Sequence, residues 1–180
     1  MSDTYTLNVA GVTRILPLCP VNDELSIAAF VMFSDVELTI ACATELLKHV
    51  PEHDIIITAE SKGIPLAYEM SRQSGVKYIL ARKSRKLYMK RPVAVQVDSI
   101  TTTGLQELYL DIDDIEAIRG KRVLIVDDVV STGESLRALE NLVEMASGKI
   151  AAKATVLAEG DANLRSDIIF LEHLPLFPVK

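Results

Sequence analysis

Two adjacent carboxylates, Asp127 and Asp128, follow the apolar run Val123, Leu124, Ile125, Val126, and the chain then reads Ser131-Thr132-Gly133-Glu134-Ser135. Four apolar, mostly β-branched residues match a strand buried on both faces. Ser, Thr and Gly at the start of a following helix leave backbone N–H groups pointing outward, where the helix dipole favours an anion. A phosphate placed directly on the two carboxylates would be repelled. Asp127 and Asp128 are therefore assigned to sugar hydroxyls or to a bound cation, and residues 121–135 predict a phosphorylated, hydroxylated ligand.

Two further groups suit an anion. Glu60-Ser61-Lys62 follows the apolar run Ile55-Ile56-Ile57-Thr58-Ala59, and residues 82–91 carry six positive charges in ten positions, beginning with Arg82-Lys83 and including Lys86. Lysine offers a compact point charge and arginine a planar fork, and both complement phosphate oxygens.

Positioning these groups requires strands that end together. Residues 54–59 and 76–81 read as buried strands, and Gly63 with Pro65 opens a helix running to about Gly75. Ser34 with Glu37 forms a capping-box pair before an amphipathic helix whose apolar face is Val36, Ile40, Ala43, Leu47 and Val50 and which Pro51 ends. Residues 93–97 and 106–110 read as the arms of a hairpin around the polar run 98–104, and Asp111, Asp113, Asp114 and Glu116 as an acidic connector. Leu136, Leu139, Val143 and Ala146 share one face of the helix after Gly133, with Gly148 as its stop, and residues 154–158 and 168–171 supply the last strands. The N-terminal residues 5–22 read as an irregular cap or arm anchored by Ile15, Leu16 and Leu18, because Pro17 and Pro20 do not suit a central strand. The fold class is α/β: one domain over residues 1–180, a mostly parallel twisted sheet with helices on both faces, a small N-terminal hood and an inserted flexible β-hairpin. In such sheets ligands sit outside the carboxyl ends of the strands, at the point where strand order reverses.

With 180 residues, 49% of them apolar, the chain can bury a sizeable core. A net charge of -6 argues against non-specific nucleic-acid binding. No apolar run approaches the roughly 20 residues that span a bilayer, and the N-terminus lacks the basic-then-apolar order of a signal peptide, so a cytoplasmic protein is expected. Cys19 and Cys42 are read as reduced thiols in or near the core. His49 and His53 are separated by Pro51, which breaks the helix that a metal pair would need, and His173 lies in a C-terminal edge or tail segment; all three are read as structural or surface residues. No Ser/His/Asp arrangement can be argued from spacing.

The stretch 123–135 resembles the signature of type I phosphoribosyltransferases, in which an apolar strand, two acids and a Thr-Gly loop hold 5-phosphoribosyl-1-pyrophosphate. It is neither a Walker A loop nor a GxGxxG motif. The resemblance implies that Asp127 and Asp128 address the ribose hydroxyls and, through water or ligand, Mg2+, while Ser131, Thr132, Gly133, Glu134 and Ser135 wrap the 5′-phosphate. Ala59-Glu60-Ser61-Lys62-Gly63-Ile64 resembles the pyrophosphate loop of adenine phosphoribosyltransferases, with Lys62 in place of arginine and Ile64 in place of an aromatic residue. Arg82, Lys83, Lys86 and Leu87 resemble the start of the family's flexible catalytic loop. The resemblance thus implies that Glu60, Ser61, Lys62, Arg82, Lys83 and Lys86 serve pyrophosphate, that Asp127, Asp128 and Lys86 carry catalysis, and that Val129 and Val130 border the base.

Two features of adenine phosphoribosyltransferases are missing. Thr102 or Thr103 stands where a glutamate assists the base, and residues 11–17 retain an arginine and a proline but no base-stacking aromatic. The implied activity is a purine phosphoribosyltransferase, adenine first and a 6-oxopurine second, acting as a homodimer. The alternative is a regulatory protein that binds phosphoribosyl pyrophosphate without turnover.

Overall fold

The computed structural model describes residues 3–97 and 106–179. Its N-terminal residues form an antiparallel meander rather than an irregular arm. β1 (Thr4–Val9) pairs with β2 (Val12–Pro20) from Val9 opposite Val12 to Thr4 opposite Pro17, and β3 (Leu25–Ala28) pairs with the last three residues of β2. Pro17 and Pro20 each stand at the end of one of these ladders, where a missing N–H interrupts no continuous run of strand bonds. Strand alternation then buries Leu16 and exposes Ile15. Cys19 is exposed on this strand, contrary to the sequence expectation, while Cys42 is buried.

α1 (Val36–His49) is capped by Asp35 rather than Ser34: the Asp35 carboxylate accepts the Leu38 N–H at 3.1 Å. Its fully buried face is Leu38, Cys42, Ala43 and Leu46, whereas Val36 and Ile40 are exposed. Ala43 belongs to both the expected and the observed face, and Leu47 and Val50 pack partly buried against the core, so the buried face is rotated from the expected one, with Leu38, Cys42 and Leu46 in place of Val36 and Ile40.

β4 (Ile55–Ala59) is buried along its whole length. α2 (Ile64–Ser74) starts after Gly63, has a proline in its first turn and ends at left-handed Gly75, as expected. β5 (Tyr78–Ala81) follows, and then β6 (Val93–Val97) and β7 (Gln106–Leu110) pair as the expected antiparallel hairpin. The polar run 98–104, with Thr102 and Thr103, lies outside the described residues. The acidic connector is a helix, α3 (Ile112–Ile118): Asp111 caps it, Asp113 and Asp114 occupy its dipole-favoured first turn, and Ile115 and Ile118 are buried.

β8 (Arg122–Val130) runs four residues past the expected strand end, so Asp127 and Asp128 are strand residues. α4 (Glu134–Met145) leads to β9 (Lys149–Glu159), a short 3-10 turn at Gly160–Leu164, β10 (Ile169–Leu174) and β11 (Phe177–Pro178), which closes onto β3.

The central sheet is parallel, in the order β10-β9-β8-β4-β5. Alternate residues of its middle strands enter two cores. Ile56, Leu124 and Val126 pack on one face against α1 and α2, while Ile55, Ile57, Val123 and Ile125 pack on the other against α4 and Leu108 and Leu110 of β7. Strand order reverses between β4 and β8, since the chain moves outward from β4 to β5 and then returns to the opposite side of β4. Among the described residues, no helix is long and apolar enough to cross a membrane.

Candidate active site

The loops after β4 and β8 meet at this switch point. A Cβ on Gly63 would lie 2.3 Å from Thr58 Oγ1 and 2.9 Å from Asp127 Oδ1, so only glycine lets the start of α2 approach β8 this closely. The peptide bond between Glu60 and Ser61 in the loop leading to this contact is cis.

Asp128 is 4% exposed, and its Oδ2 is buried without a hydrogen-bond partner among the described residues. Asp127 Oδ1 accepts the Asp128 N–H at 2.9 Å. Burial pushes both carboxyls above the usual carboxylate range, and the charge of Asp128 pushes Asp127 further. The positive charge of Lys62 opposes both shifts. An acid pair of one buried and one half-buried carboxylate, with an unsatisfied oxygen on Asp128, gains from hydroxyl donors or a cation, which is the chemistry of a ribose or of a ligand-borne metal. Among the described residues no group of three or more metal-ligating acids, histidines or cysteines forms a cage. Two carboxylates alone could hold a magnesium ion only with water and substrate supplying its remaining ligands.

Beyond β8, Ser131 and Thr132 are exposed, and Gly133 adopts φ 83° as the residue before α4. The N-cap residue, Gly133, has no side chain with which to cap this helix, and a helix N-terminus of this kind can offer backbone N–H groups to an anion. Ser135 is exposed in the first turn, beside half-buried Glu134. Val129 is half-buried, while the Val130 side chain is 3% exposed and packs in the α4-side core, leaving chiefly its backbone for any contact with a base.

The basic residues gather around an internal carboxylate. Glu60 accepts the Lys83 N–H at 2.9 Å and lies 3.4 Å from Arg82 Nη1 and 3.5 Å from Lys86 Nζ. Its pKa is held below the usual range chiefly by the Lys83 N–H. Glu60 thus acts as a counter-ion for the groups assigned to pyrophosphate, an arrangement that strand ends alone do not reveal. Arg82 also exchanges backbone hydrogen bonds with Tyr109, tying the basic segment to β7, and Leu87 stands fully exposed at its outer end.

Sequence reasoning missed Glu159. It ends β9 one register step beyond the pairing of Val130 with Ala158, burial raises its pKa, and Lys62 opposes the shift. Its position directly after a buried apolar strand run is the signal that could have found it.

The model of the phosphoribosyl transferase domain matches residues 37–174. The chain is 36% identical over 121 residues to a hypoxanthine/guanine phosphoribosyltransferase of Methanotorris igneus, covering 66% of this chain and 62% of that protein. It is 32% identical over 143 residues to the protein of the same name from Methanocella arvoryzae, covering 79% and 68%. The chain thus matches less than two thirds of the Methanotorris protein's length. The fold is similar to that of an adenine phosphoribosyltransferase from Thermoanaerobacter pseudethanolicus, with TM-score 0.70 and 22% identity over 88% of this chain and 95% of that one. The matched family model spans α1 through β10, the elements that carry the Asp127–Asp128 pair, the glycine-opened loop and the basic segment, and the chain belongs to the phosphoribosyl transferase domain family.

Proposed function

We propose that the protein transfers a 5-phosphoribosyl group from phosphoribosyl pyrophosphate to a ring nitrogen of a purine, releasing pyrophosphate. The observation that carries this reading is the close approach of Gly63 to Asp127, which brings the loop that bears Glu60 and its basic partners against the strand that carries the Asp127–Asp128 pair and leads into α4. The α4 N-terminus, with Ser131, Thr132, Gly133 and Ser135, takes the 5′-phosphate. Asp127 and Asp128 take the ribose hydroxyls and orient C1. Lys62, Arg82, Lys83 and Lys86 face the leaving pyrophosphate, and Glu60 and Ser61 shape the turn that holds them. Magnesium, when bound, supplies charge neutralisation on the diphosphate. Catalysis then rests on orientation and on stabilising the charge that develops on the leaving group.

Among bases, the reading places 6-oxopurines ahead of adenine. The relatives at 32–36% identity carry the hypoxanthine/guanine name, residues 11–17 of this chain carry no aromatic, and Thr102 or Thr103 stands where the adenine pattern has its loop glutamate. The test is a panel of hypoxanthine, guanine, xanthine and adenine incubated with magnesium and phosphoribosyl pyrophosphate. Nucleotide formed fastest from hypoxanthine or guanine supports the reading, and adenine alone reverses the base order. Tight binding of phosphoribosyl pyrophosphate without turnover of any of these bases, orotate or uracil would replace the enzyme with a regulatory binding protein.

A further inference from the structure

Arg165, in the segment between the 3-10 turn and β10, reaches back to the loop before α4. Its Nη1 lies 2.2 Å from the point where a Cβ on Gly133 would stand, and its Cζ 3.5 Å away. The φ of 83° at Gly133 disfavours any side chain, and one placed there would also displace the end of the Arg165 side chain. The guanidinium is held from behind. Nε and Nη2 donate to the two oxygens of Asp167 at 3.0 and 2.9 Å, so the fork is used on one side while Nη1 is directed at the loop. Asp167 also accepts from Lys153, a largely buried lysine on β9 that donates in turn to Glu140 of α4. These four charges balance, Arg165 and Lys153 against Asp167 and Glu140, so the network braces the guanidinium without being a net cation itself. An ordinary exposed Arg–Asp pair two residues apart contributes little. This one is anchored, through Lys153 and Glu140, to the helix whose N-terminus is proposed above to take the 5′-phosphate.

We infer that Arg165 belongs to the binding site for the ligand's terminal phosphate, donating from Nη1 to a phosphate oxygen while Asp167 fixes the rest of its side chain. Planar guanidinium suits phosphate, and here the ordering cost of the side chain is already met by Asp167. Asp167, which touches no ligand, is a positioning residue. The inference rests on the assignment of residues 131–135 to the 5′-phosphate.

Calorimetric titration of the full chain with ribose 5-phosphate, and separately with magnesium pyrophosphate, tests it. Arg165→Gln should weaken ribose 5-phosphate by about tenfold to a hundredfold and leave pyrophosphate unchanged. Arg165→Lys should recover part of the loss, and Asp167→Asn should weaken ribose 5-phosphate less than Arg165→Gln does. Thr132→Val combined with Ser135→Ala separates this inference from the site assignment. If that pair loses ribose 5-phosphate while Arg165→Gln binds as the parent does, Arg165 has no such role. If neither variant loses it, the phosphate assignment of the loop falls and the inference falls with it. Equal weakening of both ligands by Arg165→Gln and Arg165→Lys would also overturn it, since damage to the fold spares neither ligand.

Discussion

Gly63 and Asp127 lie so close that a methyl group on the glycine would stand 2.9 Å from the carboxylate oxygen and 3.3 Å from the Asp127 Cα. This contact joins the turn that shapes the basic cluster to the strand that carries the acid pair.

Gly63→Ala therefore has two expected effects. The added carbon meets Thr58 Oγ1 and the backbone of β8, neither at the end of a flexible side chain, so stability falls by about 1–3 kcal/mol. Ribose 5-phosphate affinity falls with it, because Asp127 must shift. Urea unfolding and calorimetry measure the two, and a variant unchanged in both would show that the close approach carries no consequence.

Glu60→Gln removes the anion that faces Arg82 and Lys86, while the amide oxygen keeps the Lys83 N–H bond. Pyrophosphate should bind about threefold to tenfold tighter, since a competing negative charge near the site is gone. Weaker binding would mean that the ordering of the basic loop by Glu60 outweighs its competition with the ligand.

Asp35 caps α1 and pairs with Arg14 at 2.7 Å. The Arg14 guanidinium holds its carboxyl below the ordinary value of 3.8. A depressed carboxyl contributes stability above its unfolded pKa and loses it as pH falls through the folded value. Asp35→Ala should thus destabilise the protein by about 1–2 kcal/mol at pH 7, and the pH-dependent part of that gap should close as the acid protonates below about pH 4. A gap that is as wide at pH 3 as at pH 7 would remove the ion pair from the explanation.

Much of this architecture is legible in the sequence where a local signal coincides with a tertiary demand. Residues 55–59 and 123–126 are β-branched because both faces of the sheet are covered, and Gly63, Pro65 and Gly75 punctuate α2 because backbone geometry requires it. The paired acids and the glycine loop could be placed at a strand end for the same reason. Signals failed where tertiary contacts choose between local options. The α1 face turned on how the helix is rotated against the sheet, and the meander on where β2 changes partners at its prolines. Acidic residues 111–116 read as a connector, yet they are the negatively charged start of a helix whose isoleucines reach the core. Glu60 as a counter-ion, Glu159 beside Lys62 and Arg165 against Gly133 arise from residues far apart in the chain, and no spacing rule brings them together.

The central claim is that β8 and the loop after it hold the ribose phosphate. Calorimetric titration of phosphoribosyl pyrophosphate with magnesium into the parent protein and into the double variant Asp127→Asn, Asp128→Asn tests it most directly. The account predicts a folded variant, with an unshifted or raised unfolding midpoint because the raised carboxyl pKa values mark a buried charge the fold disfavours, and an affinity at least about a hundredfold lower. Undiminished affinity in that folded variant would contradict it.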